Sequence, residues 1–401
     1  MKLIKRNLYM TELKDLIGTP DIKVITGVRR SGKSKLMDAL QEYLAQNNLA
    51  ANIIHINFNI TEFEPLKEYH ALEQYVEEHY LPERDNCLLI DEVQMCAGFE
   101  KAVNSLHAKE KYDIYITGSN AFLQSSDLAT LFVGRTYELQ IFPFSFHEYL
   151  EYFPTENIYG SLTNYIREGG MAGSYLYKNE QQKYRYINTE VLNALIVRDI
   201  IKKYKLKNEP LLHSIIDFLM DNIGNVTSVR SITDTLCSAG TNADHKTVGK
   251  YLDALCKAFA FYRIRRYDIR GKKYLRSEDK YYLVDQSFRF ARLGTKNMDY
   301  GRVLENIVAI ELLRRGYELY VGVLYKKEID FVAIRQGKKL YVQVAYDISE
   351  GSTFEREVTP LLKIKDAYPK MLIARTYQPE YQHEGITIVD AAEWLSTFPN
   401  L

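Results

Sequence analysis

Three groups of residues in this chain have the types and spacing to do chemistry together. The stretch Gly27-Val28-Arg29-Arg30-Ser31-Gly32-Lys33-Ser34 has the form G-x-x-x-x-G-K-[ST] and is followed by Lys35. Glycines in such a loop let backbone N–H groups converge on phosphate oxygens, and the helix that follows adds partial positive charge at its start. Lys33 would reach the β- and γ-phosphates of a nucleoside triphosphate, and Ser34 would ligate Mg2+. Residues Gly27 to Lys35 are therefore the candidate nucleotide cradle. Arg29 and Arg30 fill its variable positions and take no catalytic role. The second group is Cys87-Leu88-Leu89-Ile90-Asp91-Glu92, an apolar run ending in two carboxylates. Asp91 suits a Mg2+ position and Glu92 a general base that polarises water, a pairing that predicts hydrolysis rather than nucleotide storage. The third is Gly118-Ser119-Asn120, at the end of the apolar run Tyr112–Thr117. A polar side chain there could hydrogen-bond the γ-phosphate or the water; spacing does not separate Ser119 from Asn120. Arg135, in VGRTYEL, is a candidate charge donor to a transferring phosphoryl group, in cis or from a neighbouring subunit. It reads equally well as an ordinary surface arginine. No NKxD-like strand end of a guanine reader is present, which favours ATP.

The elements that must hold these residues follow from the apolar pattern. Strand candidates are Lys23–Thr26, Ile53–Phe58, Cys87–Asp91, Asp113–Thr117 and Tyr137–Ile141, separated by amphipathic segments. Leu36, Leu40 and Leu44 recur at helical spacing directly after the loop. This predicts an α/β fold, a P-loop NTPase with a parallel sheet flanked by helices, over residues 1–155. Residues 156–290 read as mainly helical, ending in two helices within Val229–Ala258 and a hairpin turning at Arg270-Gly271-Lys272, a winged-helix outline. Residues 291–401 read as a further α/β domain. Arg263 to Lys280 holds eight Lys/Arg against three Asp/Glu, with Tyr267 and Tyr274 interleaved. Such a wing, with Lys246, Thr247 and Lys250 on the preceding helix, would suit phosphate contacts to DNA. A solvated hairpin or a protein-binding surface is the other reading.

Composition sets the outer bounds. At 401 residues the chain is long enough for two or three domains, and 46% hydrophobic with 26% charged residues is the make-up of a soluble globular protein. Lys+Arg and Asp+Glu balance at 52 each, so any nucleic-acid binding must come from a local patch. Cys87, Cys96, Cys237 and Cys256 form no metal-ligand or disulfide pattern. No stretch approaches the roughly 18 apolar residues of a membrane span, and a cytoplasmic location is expected.

GVRRSGKS, LLIDEVQ (Leu88–Gln94), TGSNAFL (Thr117–Leu123) and LFVGRTYELQIFPFSFHEYL (Leu131–Leu150) together resemble a prokaryotic family of AAA-type ATPases. Its members join an N-terminal ATPase to a C-terminal domain of unknown function. EGGMAGSY, LIVRDIIKKY and KEIDFV followed by YVQVAY fit the family's second half, so the resemblance spans nearly the whole chain. It implies an ASCE-type P-loop fold with the Asp113–Thr117 strand between the other two motif strands. It also implies a winged-helix middle and a C-terminal α/β restriction-endonuclease-like domain of the PD-(D/E)xK kind. In that domain Glu305 and Asp330 match two metal-binding carboxylates, but the E-x-K element reads Gln343-Val344-Ala345. Losing the lysine and one carboxylate predicts a degenerate, non-cleaving scaffold. Three functions are thus expected in descending order. The first is a Mg2+-dependent ATPase coupled to conformational change, its C-terminal half binding DNA or a protein partner. The others are an ATP-binding switch without turnover, and a metal-dependent endonuclease. A homo-oligomer is compatible with each.

Overall fold

A computed structural model of the chain describes residues 4–47, 51–118, 132, 134–296, 298–325 and 327–398. They gather into two compact units, Met1–Phe142 and Pro143–Leu401.

In unit 1, five strands form one sheet: β1 (Ile22–Thr26), β2 (Ala51–Asn57), β3 (Asp85–Asp91), β4 (Tyr112–Thr117) and β5 (Thr136–Gln140). All pairings are parallel and the order is β2-β3-β4-β1-β5, so β4 lies between the strands leading to the two motifs, as expected. Because strand side chains alternate between faces, each strand feeds two cores. Val24, Leu88 and Ile90 pack under the helices Tyr69–Glu78 and Phe99–Ala108 on one face. Ile25, Cys87 and Leu89 pack with residues of the helices Asn7–Asp15 and Lys33–Asn47 on the other. A fully buried Lys23 ties β1 to β4 through Asp113 at 2.5 Å, with the Thr19 carbonyl accepting a second bond at 2.5 Å.

Unit 2 opens with helices, among them Phe146–Tyr152 and Ile158–Glu168. The stretches Ile187–Leu192 and Leu195–Lys202 adopt the wider π-helical turn. The helices Val229–Ser238 and His245–Lys257 and the hairpin β6 (Phe261–Asp268) to β7 (Lys273–Leu283) are all present. The hairpin is no free-standing wing, however. β6 pairs in parallel with β8 (Glu318–Leu324), which continues into β9 (Lys327–Arg335) and β10 (Lys338–Ala345) as an antiparallel meander. From β10 the sheet runs on in parallel to β11 (Lys370–Ala374) and β13 (Ile386–Asp390), with β12 (Tyr381–His383) at the edge. One eight-stranded sheet thus crosses the boundary expected between 290 and 291.

The EGG turn, Glu168-Gly169-Gly170, packs onto a carboxylate far along the sequence. Gly169 has φ 66°, and a Cβ there would lie 2.1 Å from Asp285 Oδ1. The next N–H, of Gly170, donates to Asp285 Oδ2 at 2.6 Å. Burial pushes the Asp285 carboxyl up to about 6, held back by hydrogen bonds from Ser287 and Gly170.

Candidate functional site

The carboxyl ends of β1, β4 and β3 lie side by side because all three run in parallel. From Thr26 the chain turns at Gly27, whose φ is 144° and whose hypothetical Cβ would sit 2.2 Å from the Ile141 carbonyl oxygen. Only glycine fits. The helix starts at Lys33, so the unpaired N–H groups of its first turn border the loop. Lys33 is buried and donates to the carbonyls of Gly27 at 2.8 Å and Val28 at 3.2 Å, bracing the loop from inside. Ser34 is half-buried beside it, whereas Lys35 is exposed and pairs with Asp38 at 2.9 Å, on the outer surface of the helix. Val28 is buried, Arg29 half-buried and Arg30 exposed.

Asp91 is the last residue of β3 and is 1% exposed. The Thr117 hydroxyl donates to Asp91 Oδ1 and accepts the Glu92 N–H at 3.2 Å. Glu92 adopts the left-handed backbone (φ 57°, ψ 45°), a strained state for a residue with a Cβ. Gln94 donates to Glu92 Oε2 at 2.5 Å. Two buried oxygens of this site, Asp91 Oδ2 and Ser31 Oγ, have no hydrogen-bond partner among the described residues. A buried oxygen left this way costs about 1–3 kcal/mol unless something binds it. The donor set therefore fits a Mg2+–nucleotide: N–H groups and an ammonium for phosphates, Ser34 and Asp91 for a hard cation that keeps much of its water, and Glu92 for a proton.

Sequence reasoning named the loop, Asp91 and Glu92; Thr117, Gln94 and two N-terminal residues, which the structure sets against them, went unnamed. Arg6, 3% exposed, donates to the carbonyls of Ser31 at 2.7 Å and Phe142 at 2.8 Å, with its guanidinium over the Tyr9 ring. The Tyr9 hydroxyl accepts the Phe142 N–H at 3.2 Å, so the segment before β1 clamps the loop to the end of β5. Thr117 was discoverable, since a hydroxyl closing the strand next to β3 must face the end of that strand. Ser119 and Asn120 lie outside the described residues. Arg135 lies just before β5, at the end of the sheet away from the loop of its own chain. Its carbonyl accepts the Ile22 N–H at 2.9 Å, and β5 starts level with Ile22, at the amino end of β1. Four residues of strand separate that level from Thr26, roughly 13 Å along the sheet from the loop.

In unit 2, Glu305, Asp330 and Gln343 come together, each 8% exposed. Gln343 Oε1 accepts the Asp330 N–H at 3.3 Å. Burial, with the Glu305 charge behind it, holds the Asp330 carboxyl well above its ordinary range. A lysine joins them, but from β7: Lys280, 3.0 Å from Glu305. Burial opposes its charge, yet Glu305, Asp330 and Glu328 outweigh that and hold Lys280 above its usual range. Part of the basic stretch to which it belongs is paired. Arg263 meets Asp253 at 3.2 Å and Arg266 meets Glu278 at 2.7 Å, while Arg265 and Arg270 are exposed. Among the described residues, no three His, Cys, Asp or Glu side chains are set to hold a metal ion, and no helix is long and apolar enough to cross a membrane.

Comparison with known proteins agrees with unit 1. Residues 19–150 match the family described as "AAA domain", and residues 159–299 match a domain of unknown function. An "Uncharacterized protein" of Haemophilus influenzae is 39% identical over 98% of both chains. "Uncharacterized protein MJ1544" of Methanocaldococcus jannaschii is 27% identical, over 94% of this chain and 87% of its own. Among solved structures, that of AMPPCP-bound DnaA from Aquifex aeolicus is similar at 17% identity over 63% of this chain and 88% of its own. Its TM-score of 0.32 is too low to argue from. The chain belongs to one family with the Haemophilus influenzae protein, and its residues 19–150 are an AAA domain with a P-loop fold.

Proposed function

We propose that the chain is a Mg2+-dependent ATPase whose hydrolysis drives a conformational change, with the C-terminal half binding DNA or a protein partner. The observation that carries this reading is the pair of unsatisfied oxygens, Ser31 Oγ and Asp91 Oδ2, beside Lys33, Ser34 and Glu92. In this reading residues Gly27 to Ser34 hold the phosphates and Ser34 and Asp91 hold Mg2+, which neutralises phosphate charge when bound. Thr117 fixes Asp91, and Glu92 takes the proton of the attacking water. Arg135, exposed and distant from its own loop, acts only if a neighbouring subunit receives it. The test is steady-state phosphate release: Lys33→Ala abolishes it, and unchanged turnover in that variant ends the reading.

A second reading, an ATP-bound switch with negligible turnover, is favoured by one contact. Gln94 holds the Glu92 carboxylate at 2.5 Å and so restrains the base. Release of phosphate at a slow basal rate that Gln94→Ala accelerates would support it. For the C-terminal half, support for an anionic partner comes from a cleft of about 400 Å3 at the start of the helix His245–Lys257, lined by Lys205, Lys207, Asp244, Thr247 and Lys250. Stimulation of ATP turnover by DNA, lost in a Lys207→Glu/Lys250→Glu chain, checks that assignment.

A further inference from the structure

The carboxylate cluster of unit 2 is drawn from four elements. Lys280 and Tyr282 come from β7, Glu328 and Asp330 from β9, and Gln343 from β10. Glu305 lies on the helix Tyr300–Arg314. Lys280 is 3% exposed, and its Nζ lies 2.7 Å from Glu328 Oε1, 3.0 Å from Glu305 Oε1 and 3.9 Å from Asp330 Oδ1. The Tyr282 hydroxyl donates to the same Glu305 oxygen at 2.5 Å. Asp330 Oδ2 accepts the Val344 N–H at 2.8 Å. The Gln343 oxygen is turned to the backbone of Asp330, and its amide nitrogen donates to Glu357 Oε2 at 2.8 Å. Arg356 takes the other oxygen of Glu357 at 2.9 Å.

We propose that Lys280 is the resident cation of this cluster, a tethered ammonium that does the work of a divalent ion in holding Glu305, Glu328 and Asp330 together. Three observations carry this. The ammonium lies centrally, within ion-pair distance of three carboxylates on two elements, so it neutralises the charge a metal would neutralise. Other donors of the protein share the cluster: the Val344 N–H on Asp330 Oδ2, the Tyr282 phenol beside Lys280 on Glu305 Oε1, and the Asp330 N–H on the Gln343 carbonyl. Glu357, a further carboxylate beside Gln343, has its own partners in Gln343 and Arg356. An ammonium makes such a cluster a structural fastening. It offers no open coordination position and activates no water, so the fold keeps the carboxylates without metal-dependent chemistry. The inference is independent of the reading of unit 1, whose failure would leave it standing.

The test uses the full chain without nucleotide. Thermal unfolding and Mn2+ binding by electron paramagnetic resonance are measured for wild type, Asp330→Asn, Lys280→Met and Lys280→Met/Asp330→Asn. The expected result is that any shift Mn2+ gives the wild-type Tm is the same in Asp330→Asn, while Lys280→Met without Mn2+ loses roughly 10 °C. Mn2+ then restores much of that loss, and Lys280→Met binds one ion more than wild type. Asp330→Asn removes the extra ion. Any binding at Asp91 is shared by all four chains and cancels. If Lys280→Met folds only in Mn2+, that too supports the proposal. A wild-type Tm raised by Mn2+ in a way that Asp330→Asn abolishes would overturn it. So would a Lys280→Met chain that takes up no extra ion or is not recovered by Mn2+.

Discussion

Asp91 in unit 1 and Asp330 in unit 2 are both buried strand carboxylates, yet their surroundings differ atom by atom. One oxygen of Asp91 is fixed by Thr117 and the other has no partner among the described residues, beside a backbone turn at Glu92 that carries strain. Both oxygens of Asp330 face protein donors, the Val344 N–H and the Lys280 ammonium. Burial alone therefore does not mark a working site. What separates the two is whether the fold has satisfied its own polar atoms. Unit 1 leaves polarity unsatisfied at a loop built for phosphate, whereas unit 2 closes a similar set of groups on itself.

The largest effect that could break this contrast is in unit 2. Lys280→Met should cost about 3–5 kcal/mol in chemical unfolding, because it strands buried carboxylates. A loss below about 1 kcal/mol would mean the cluster is not closed. Next comes Asp285. Its carboxyl is raised in the folded chain, so its stabilising contribution is complete below pH about 4 and disappears as pH rises through about 6. The unfolding free energy of wild type relative to Asp285→Asn, from urea titrations, should therefore fall across that window, by up to roughly 3 kcal/mol, and stay level above it. A rising difference would reverse the assignment. In unit 1, Thr117→Val strands Asp91 Oδ1 and the Glu92 N–H, for about 1–3 kcal/mol of stability. Phosphate release should drop with it, while Thr117→Ser retains both. Smallest is Arg135→Ala, which should leave turnover of the isolated chain within about twofold. A fall that grows with protein concentration would instead indicate that the arginine acts across subunits.

Much of unit 1 was legible because its signals are local. The loop needs glycine at two backbone positions, the carboxylates terminate an apolar run, and the strands stand out between amphipathic helices. Register was not legible: nothing in VGRTYEL says that Arg135 starts its strand level with Ile22 rather than Thr26. In unit 2 the apolar run of β8 is interrupted by Gly322, so that strand has a weak local signal. Lys280 was counted as part of a basic wing, although alternation along β7 puts it on the same face as the fully buried Tyr282. That alternation was the available signal. The pairing of β6 with β8, which turns the hairpin from a wing into part of a larger sheet, depends on contacts more than fifty residues apart in sequence, beyond any local pattern.

The claim that unit 1 is the open site is tested most directly by phosphate release and ATP binding in wild type and Glu92→Gln. The account predicts Mg2+-dependent turnover in wild type, a loss of roughly a hundredfold or more in Glu92→Gln, and ATP affinity kept within a few-fold. Equal turnover in the two chains, or no ATP binding by either, would contradict it.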